Sequence, residues 1–150
     1  VDGAILAEDG NGIILADKEY GDYIFECKWK ALADDNWDSG IYFRCEMPPE
    51  GRPWPKQYQI NMLKGQEGSL PGVKETITEL YKPGEWNSYK LTVRGKVAEL
   101  EFNGKKAWTY DGIEALKGHL CLQAEVPKGG QFLFKDLTIV DLDKEKKDEK

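Results

Sequence analysis

The sequence predicts an all-β fold, an antiparallel sandwich of two packed sheets, and three observations carry that reading. Apolar and polar residues alternate with period 2 in segment after segment. No helical period persists through three turns. Sixteen Gly and seven Pro punctuate the alternating segments, while five Trp, seven Tyr and five Phe supply the bulk of a core. The length of 150 residues is that of one domain, enough to bury a single core without disulfide or metal staples.

The elements follow in order. Residues 4–6 and 12–15 flank Asp9-Gly10-Asn11-Gly12, a hairpin-like turn. Along 23–30, Tyr23, Phe25, Cys27 and Trp29 share one face, and the other is mainly charged. A polar loop, 34–39, leads into a strand over 40–46. There Ile41, Phe43 and Cys45 are expected inward, with Tyr42, Arg44 and Glu46 outward. A Pro-rich excursion, 48–55, precedes a strand over 57–63, and 64–83 reads as a long, partly ordered loop. Residues 86–94 and 97–102 form a hairpin about Gly95, and Asn103-Gly104 turns the chain into 107–110. One helical turn is expected at 113–117. Strands over 120–124 and 132–140 complete about ten. Residues 1–140 are thus the domain, and the highly charged 141–150 a solvated tail or linker.

A net charge of −6 argues against a nucleic-acid partner, whose phosphates need a basic face. The longest apolar runs are only a few residues, too short for a membrane-spanning helix. The chain opens at Val1 without Met, as a piece of a longer protein would, so further domains are among its expected partners. Cys27, Cys45 and Cys121 show no zinc-binding spacing, and His119 is the only histidine. A hairpin turning about Asn36 places Cys27 opposite Cys45 on the core side. Both are expected as reduced, buried thiols, with Cys121 on the opposite side of its sheet.

Several short motifs occur in an order that resembles one family. They are Tyr20-Gly21-Asp22-Tyr23, Ser39-Gly40-Ile41-Tyr42-Phe43-Arg44, Gly84-Glu85-Trp86-Asn87-Ser88-Tyr89, Asn103-Gly104, Gly118-His119-Leu120-Cys121-Leu122-Gln123 and Phe134-Lys135-Asp136-Leu137. The resemblance is to the 3-keto-disaccharide hydrolase family and runs from about Val1 to Val140, nearly the whole chain. It implies a jelly roll of the concanavalin A-like lectin and glucanase type, a carbohydrate ligand, and a secreted or periplasmic setting. Gln59 and Lys64 stand where the family pattern carries acids, which favours the alternative of a non-catalytic carbohydrate-binding module of a larger protein.

The candidate site comes from strand faces. If 41, 43 and 45 point inward, and 58, 60 and 62 likewise, then Tyr42, Arg44, Gln59 and Asn61 face out. His119, Cys121, Gln123 and Glu125 do the same on their strand. Planar amides, an Arg and a carboxylate suit sugar hydroxyls by offering paired donors and acceptors. The loop residues Trp37 and Trp54 are expected to stack on a sugar ring. Ordinary glycoside hydrolysis needs two carboxyl groups about 5 to 9 Å apart. The resemblance implies another route, in which a C3 ketone acidifies the C2 proton and a base then expels the C1 oxygen. Glu125 is the expected base and Arg44, with Asn61, the expected partner of the ketone oxygen. Asp34, Asn36 and Asp38 alternate as in a calcium loop. The glycine of such a loop falls one place late, however, and its twelfth position is Cys45. No cofactor is therefore expected, and calcium at those three residues is the minor alternative.

Overall fold

The computed structural model describes residues 2–73, 78–126 and 131–149. Along the chain run β1 (Ile5–Ala7), β2 (Gly10–Leu15), β3 (Tyr23–Ala31), β4 (Ser39–Cys45) and β5 (Gln59–Asn61). After a 3₁₀ turn at Thr78–Leu80 come β6 (Asn87–Arg94), β7 (Val97–Phe102), β8 (Lys105–Tyr110), β9 (His119–Val126), β10 (Phe132–Asp141) and helix α1 (Leu142–Asp148). They form a six-stranded sheet ordered β1-β10-β3-β6-β7-β8 and a four-stranded sheet ordered β2-β9-β4-β5, and every pairing is antiparallel. No helix among the described residues is long and apolar enough to cross a membrane.

Alternation decides what meets between the sheets. Tyr23, Phe25, Cys27 and Trp29 of β3 are buried against Ile41 and Phe43 of β4, with Ile60, Met62, Leu120 and Leu122 closing the same core. Trp29 is its hub, with rings of Tyr81, Tyr89, Phe102 and Phe132 within 5.3–6.1 Å of its own. Burying a large aromatic stabilises by about 1.5–3 kcal/mol, so this cluster dominates cohesion.

Three expectations are corrected here. First, β1 and β2 do not form a hairpin, and neither do β3 and β4, because each pair divides between the two sheets. Alternation reports which face a residue takes, not which sheet its strand joins. Cys27 therefore lies opposite Tyr89, and Cys45 opposite His119. Second, residues 111–117 form an irregular connection in place of a helical turn. Third, the expected solvated tail begins with an ordered helix. Asp141 caps it by accepting from the Lys144 N–H, Leu142 is buried, and Lys146 reaches the Asp22 carboxylate at 2.9 Å. Of the expected long loop and tail, positions 74–77 and 150 lie outside the described residues.

The ninth and fourth strands carry the irregularity that matters most for the site. Tyr42 pairs with Cys121 and Cys45 with His119, so Phe43 and Arg44 together oppose Leu120. This β-bulge puts Arg44 at φ +47, a left-handed conformation. Gly118 makes room for it, since a Cβ there would lie 2.5 Å from the Arg44 carbonyl carbon. The extra residue also turns Cys45 onto the same face as Tyr42, three positions away, where unbroken alternation would separate them.

Candidate functional site

The outer face of the four-stranded sheet gathers most of the polar side chains that alternation sends outward. Gln59 on β5 and Gln123 on β9 flank β4, and their amides meet across it, Gln59 Nε2 donating to Gln123 Oε1 at 2.7 Å. They meet over Gly40, where an added Cβ would lie 2.4 Å from Gln59 Nε2 and 2.8 Å from Gln123 Oε1. The missing side chain is what lets the amides bridge a strand. Gln123 Nε2 then donates to Glu125 Oε2 at 2.9 Å, which turns the Glu125 carboxyl in a fixed direction.

Glu125 in turn shares a hydrogen bond with Asp38, the residue before β4. Burial pushes the Asp38 carboxyl up to about 7, and the neighbouring Glu125 charge and their shared hydrogen bond add to the shift. Asp38 therefore keeps its proton close to neutrality, within hydrogen-bond reach of the Glu125 carboxyl. Tyr42 is buried beside them, and its hydroxyl is held protonated by burial, with the Glu125 charge reinforcing and the Arg52 charge opposing. Half-buried Trp54, from the Pro-rich loop, packs on Tyr42, Cys45 and Cys121.

The expected residues divide sharply. Tyr42, Gln59, Gln123, Glu125 and Trp54 come together on this face. Arg44 does not. Its side chain is fully buried and bonds the carbonyls of Gly21 (2.7 Å), Gly95 (3.0 Å) and Ala115 (2.6 Å) and the carboxylate of Asp22 (3.2 Å). The bulge has swung it away from the outer face and made it a framework tie between the sheets. Trp37 is likewise core, buried against Tyr81 with Nε1 donating to Glu67 at 3.0 Å. Asn61 shares the parity of Gln59, but its amide serves the following turn, donating to Gln66 and accepting from the Leu63 N–H. His119 lies six positions from Glu125 on β9, about 20 Å along the strand, with Nε2 3.9 Å from Glu19. No group of three or more His, Cys, Asp or Glu side chains that could hold a metal ion gathers among the described residues, and Asp38 of the alternating Asp34-Asn36-Asp38 set pairs with Glu125.

Arg52 went unread in the sequence, and Asp38 was read only as a calcium ligand. The facing of Asp38 was within reach: the period-2 count that sends Tyr42 outward, carried back through Gly40, lands on Asp38. Arg52 had no signal, since its position depends on how the Pro-rich loop folds over the sheet.

This arrangement is that of a lectin-like jelly roll, an antiparallel sandwich with a polar outer sheet face. Solved structures share it. A candidate glycosyl hydrolase from Parabacteroides distasonis superposes with a TM-score of 0.76 at 19% identity, covering 94% of this chain and 88% of that one. The carbohydrate-binding module CBM66 from Bacillus subtilis gives 0.62 at 15% identity, covering 87% and 82%. Sheep galectin-11, solved with glycerol, gives 0.57 at 14%, covering 88% and 98%. No curated protein matches the chain significantly. Residues 1–140 match the family described as the 3-keto-alpha-glucoside-1,2-lyase-like domain, and the chain belongs to it. It is a carbohydrate-related domain.

Proposed function

We propose that this domain cleaves a 3-keto-glycoside on the outer face of its four-stranded sheet. The observation that carries the reading is the carboxyl pair of Asp38 and Glu125, hydrogen-bonded to each other at the end of the Gln59–Gln123 amide bridge. The amides and Trp54 bind and orient the sugar, the amides by fixed donors and acceptors and the indole by stacking. Glu125 removes the proton at C2, made acidic by the C3 ketone. The electron pair of that C–H bond forms the C1–C2 double bond as the C1–O bond breaks. Asp38, which holds its proton near neutrality, donates it to the departing C1 oxygen. The Tyr42 hydroxyl and Arg52 serve the ketone oxygen, the role the sequence assigned to Arg44.

The test is Glu125→Gln, which keeps shape and a hydrogen-bonding group but removes the base. Turnover of a 3-keto-glycoside is expected to fall about 10²- to 10⁴-fold with affinity within a few fold of wild type. Wild-type binding without turnover would select the non-catalytic carbohydrate-binding module instead. The absent acids at Gln59 and Lys64 favour that second reading. Lys64 already departs from the face, pairing with Asp35 and lying 5.4 Å over the Trp37 ring.

A further inference from the structure

Beneath Tyr42 and Trp54 lies a feature the proposed chemistry does not use. Cys45 Sγ and Cys121 Sγ are 3.4 Å apart, both buried, on β4 and β9 where the bulge brings them to one face. Cys45 is opposite His119, two positions from Cys121, so the thiols are diagonal neighbours on adjacent strands. The Cys45 thiol lies 3.3 Å from the His119 carbonyl oxygen, to which it donates. Their cover is thin: Trp54 from a loop and Ile13 from β2, both partly exposed.

We propose that Cys45 and Cys121 are a modification site for a hydroperoxide, which closes them into a disulfide joining β4 to β9. An S–S bond is about 2.05 Å, so the sulfurs need approach by little more than 1 Å, on strands already hydrogen-bonded to each other. One thiol of the pair is better placed to react first. The hydrogen bond from Cys121 holds the Cys45 thiol below its ordinary value, while that same bond and burial push Cys121 up. The Cys45 thiolate attacks one oxygen of the peroxide, the O–O bond breaks, and the leaving hydroxide takes a proton to become water. The resulting sulfenic acid is attacked by Cys121 sulfur. The S–S bond forms, the S–O bond breaks, and the departing oxygen leaves as water with the Cys121 proton. In sum, two thiols are oxidised and one peroxide is reduced to two waters. A hydroperoxide as small as hydrogen peroxide suits the buried position, being little larger than water.

Cys27 is the internal control. It is buried in the core of the sandwich, with the other two cysteines on the opposite face of the four-stranded sheet, and burial pushes its thiol up to about 12. Cys121 and Glu125 are four positions apart on β9, about 13 Å, so the oxidation does not depend on the proposed lyase chemistry.

The folded protein is treated with dilute hydrogen peroxide, then unfolded in an alkylating reagent and mapped by mass spectrometry. Untreated protein is expected to take a label on each of its three free cysteines. Treated protein should take a label on Cys27 alone, with a linked Cys45–Cys121 peptide and full labelling restored by dithiothreitol. Because the linkage closes a loop between positions 76 apart, the oxidised form should melt roughly 10 °C higher. With Cys121→Ser, Cys45 should be trapped by dimedone as the sulfenic acid. If that variant does not fold, the wild-type map alone decides. Three labels persisting at a dose that oxidises exposed Met47 would overturn the proposal, as would sulfinate on Cys45 with Cys121 left free.

Discussion

Arg44 and the pair Asp38–Glu125 are both charged groups withdrawn from water, yet the fold treats them in opposite ways. Around Arg44 four of the five guanidinium N–H groups are answered: three backbone carbonyls and one carboxylate receive them within 3.2 Å. Asp22, its acidic partner, is also held by the Gly95 N–H and by Lys146. Around Asp38 no cation among the described residues offsets the burial, and its side-chain partner is another carboxyl. A saturated charge fixes a structure, whereas one left with a mobile proton is available for chemistry. The same contrast sorts the sequence motifs. Gly21 and Asp22, Asn87 and Asn103 serve the framework, with Asn87 binding Lys82, Glu85 and Asn103. Only the motifs around Gly40 and Gln123 reach the candidate site.

The sharpest way to break this contrast is to remove Arg44. Arg44→Ala strips three buried carbonyls of their donors and leaves Asp22 with only the Gly95 N–H and Lys146, and a loss of about 3–5 kcal/mol is expected. The melting temperature should then fall by roughly 10 °C. A variant that melts like wild type but loses ligand binding would return Arg44 to the site. Next come the two tryptophans. Trp37→Ala should cost about 3–5 kcal/mol of stability with affinity for sugar unchanged, and Trp54→Ala should weaken binding by about 1–2 kcal/mol while barely moving the melt. Calorimetry and glycan titration on both variants decide, and reversed effects would exchange their roles.

The smallest effect concerns pH. The ordinary Asp38 carboxyl loses its proton near 3.8, but in the fold it keeps it to about 7. Between those values the folded protein binds a proton the unfolded chain has released, so stability falls as pH rises through the window. Allowing for solvent screening at a half-buried group, the difference is about 1–2 kcal/mol. Asp38→Asn should flatten that part of the melting profile. A wild-type profile that matches the variant across the window would leave the raised Asp38 carboxyl without support.

The legible and illegible parts of this protein separate on physical grounds. Strand identity and facing were readable because burial imposes period 2 on Tyr23-Phe25-Cys27-Trp29 and on Leu120-Leu122. The pairing of β3 with β10 and β6 was not, since it is decided by how two whole sheets pack. The bulge at Phe43-Arg44 was hidden because the residue that admits the backbone of Arg44 is Gly118, far along the chain and just before β9. From that single displacement followed the misreading of both Arg44 and Cys45. The outward facing of Gln59, Gln123 and Glu125 was legible because they lie in unbroken stretches of alternation.

The partners of Arg44 also bear on time. Its three carbonyls stand 23, 51 and 71 positions away along the chain and belong to connections of both sheets. Contacts so distant in sequence form only after the loops between them have closed, late in assembly. Interactions absent from the folding barrier hold the native state chiefly by slowing its escape. The buried guanidinium is therefore expected to act as a latch, with Arg44→Ala speeding unfolding more than it slows refolding in stopped-flow measurements.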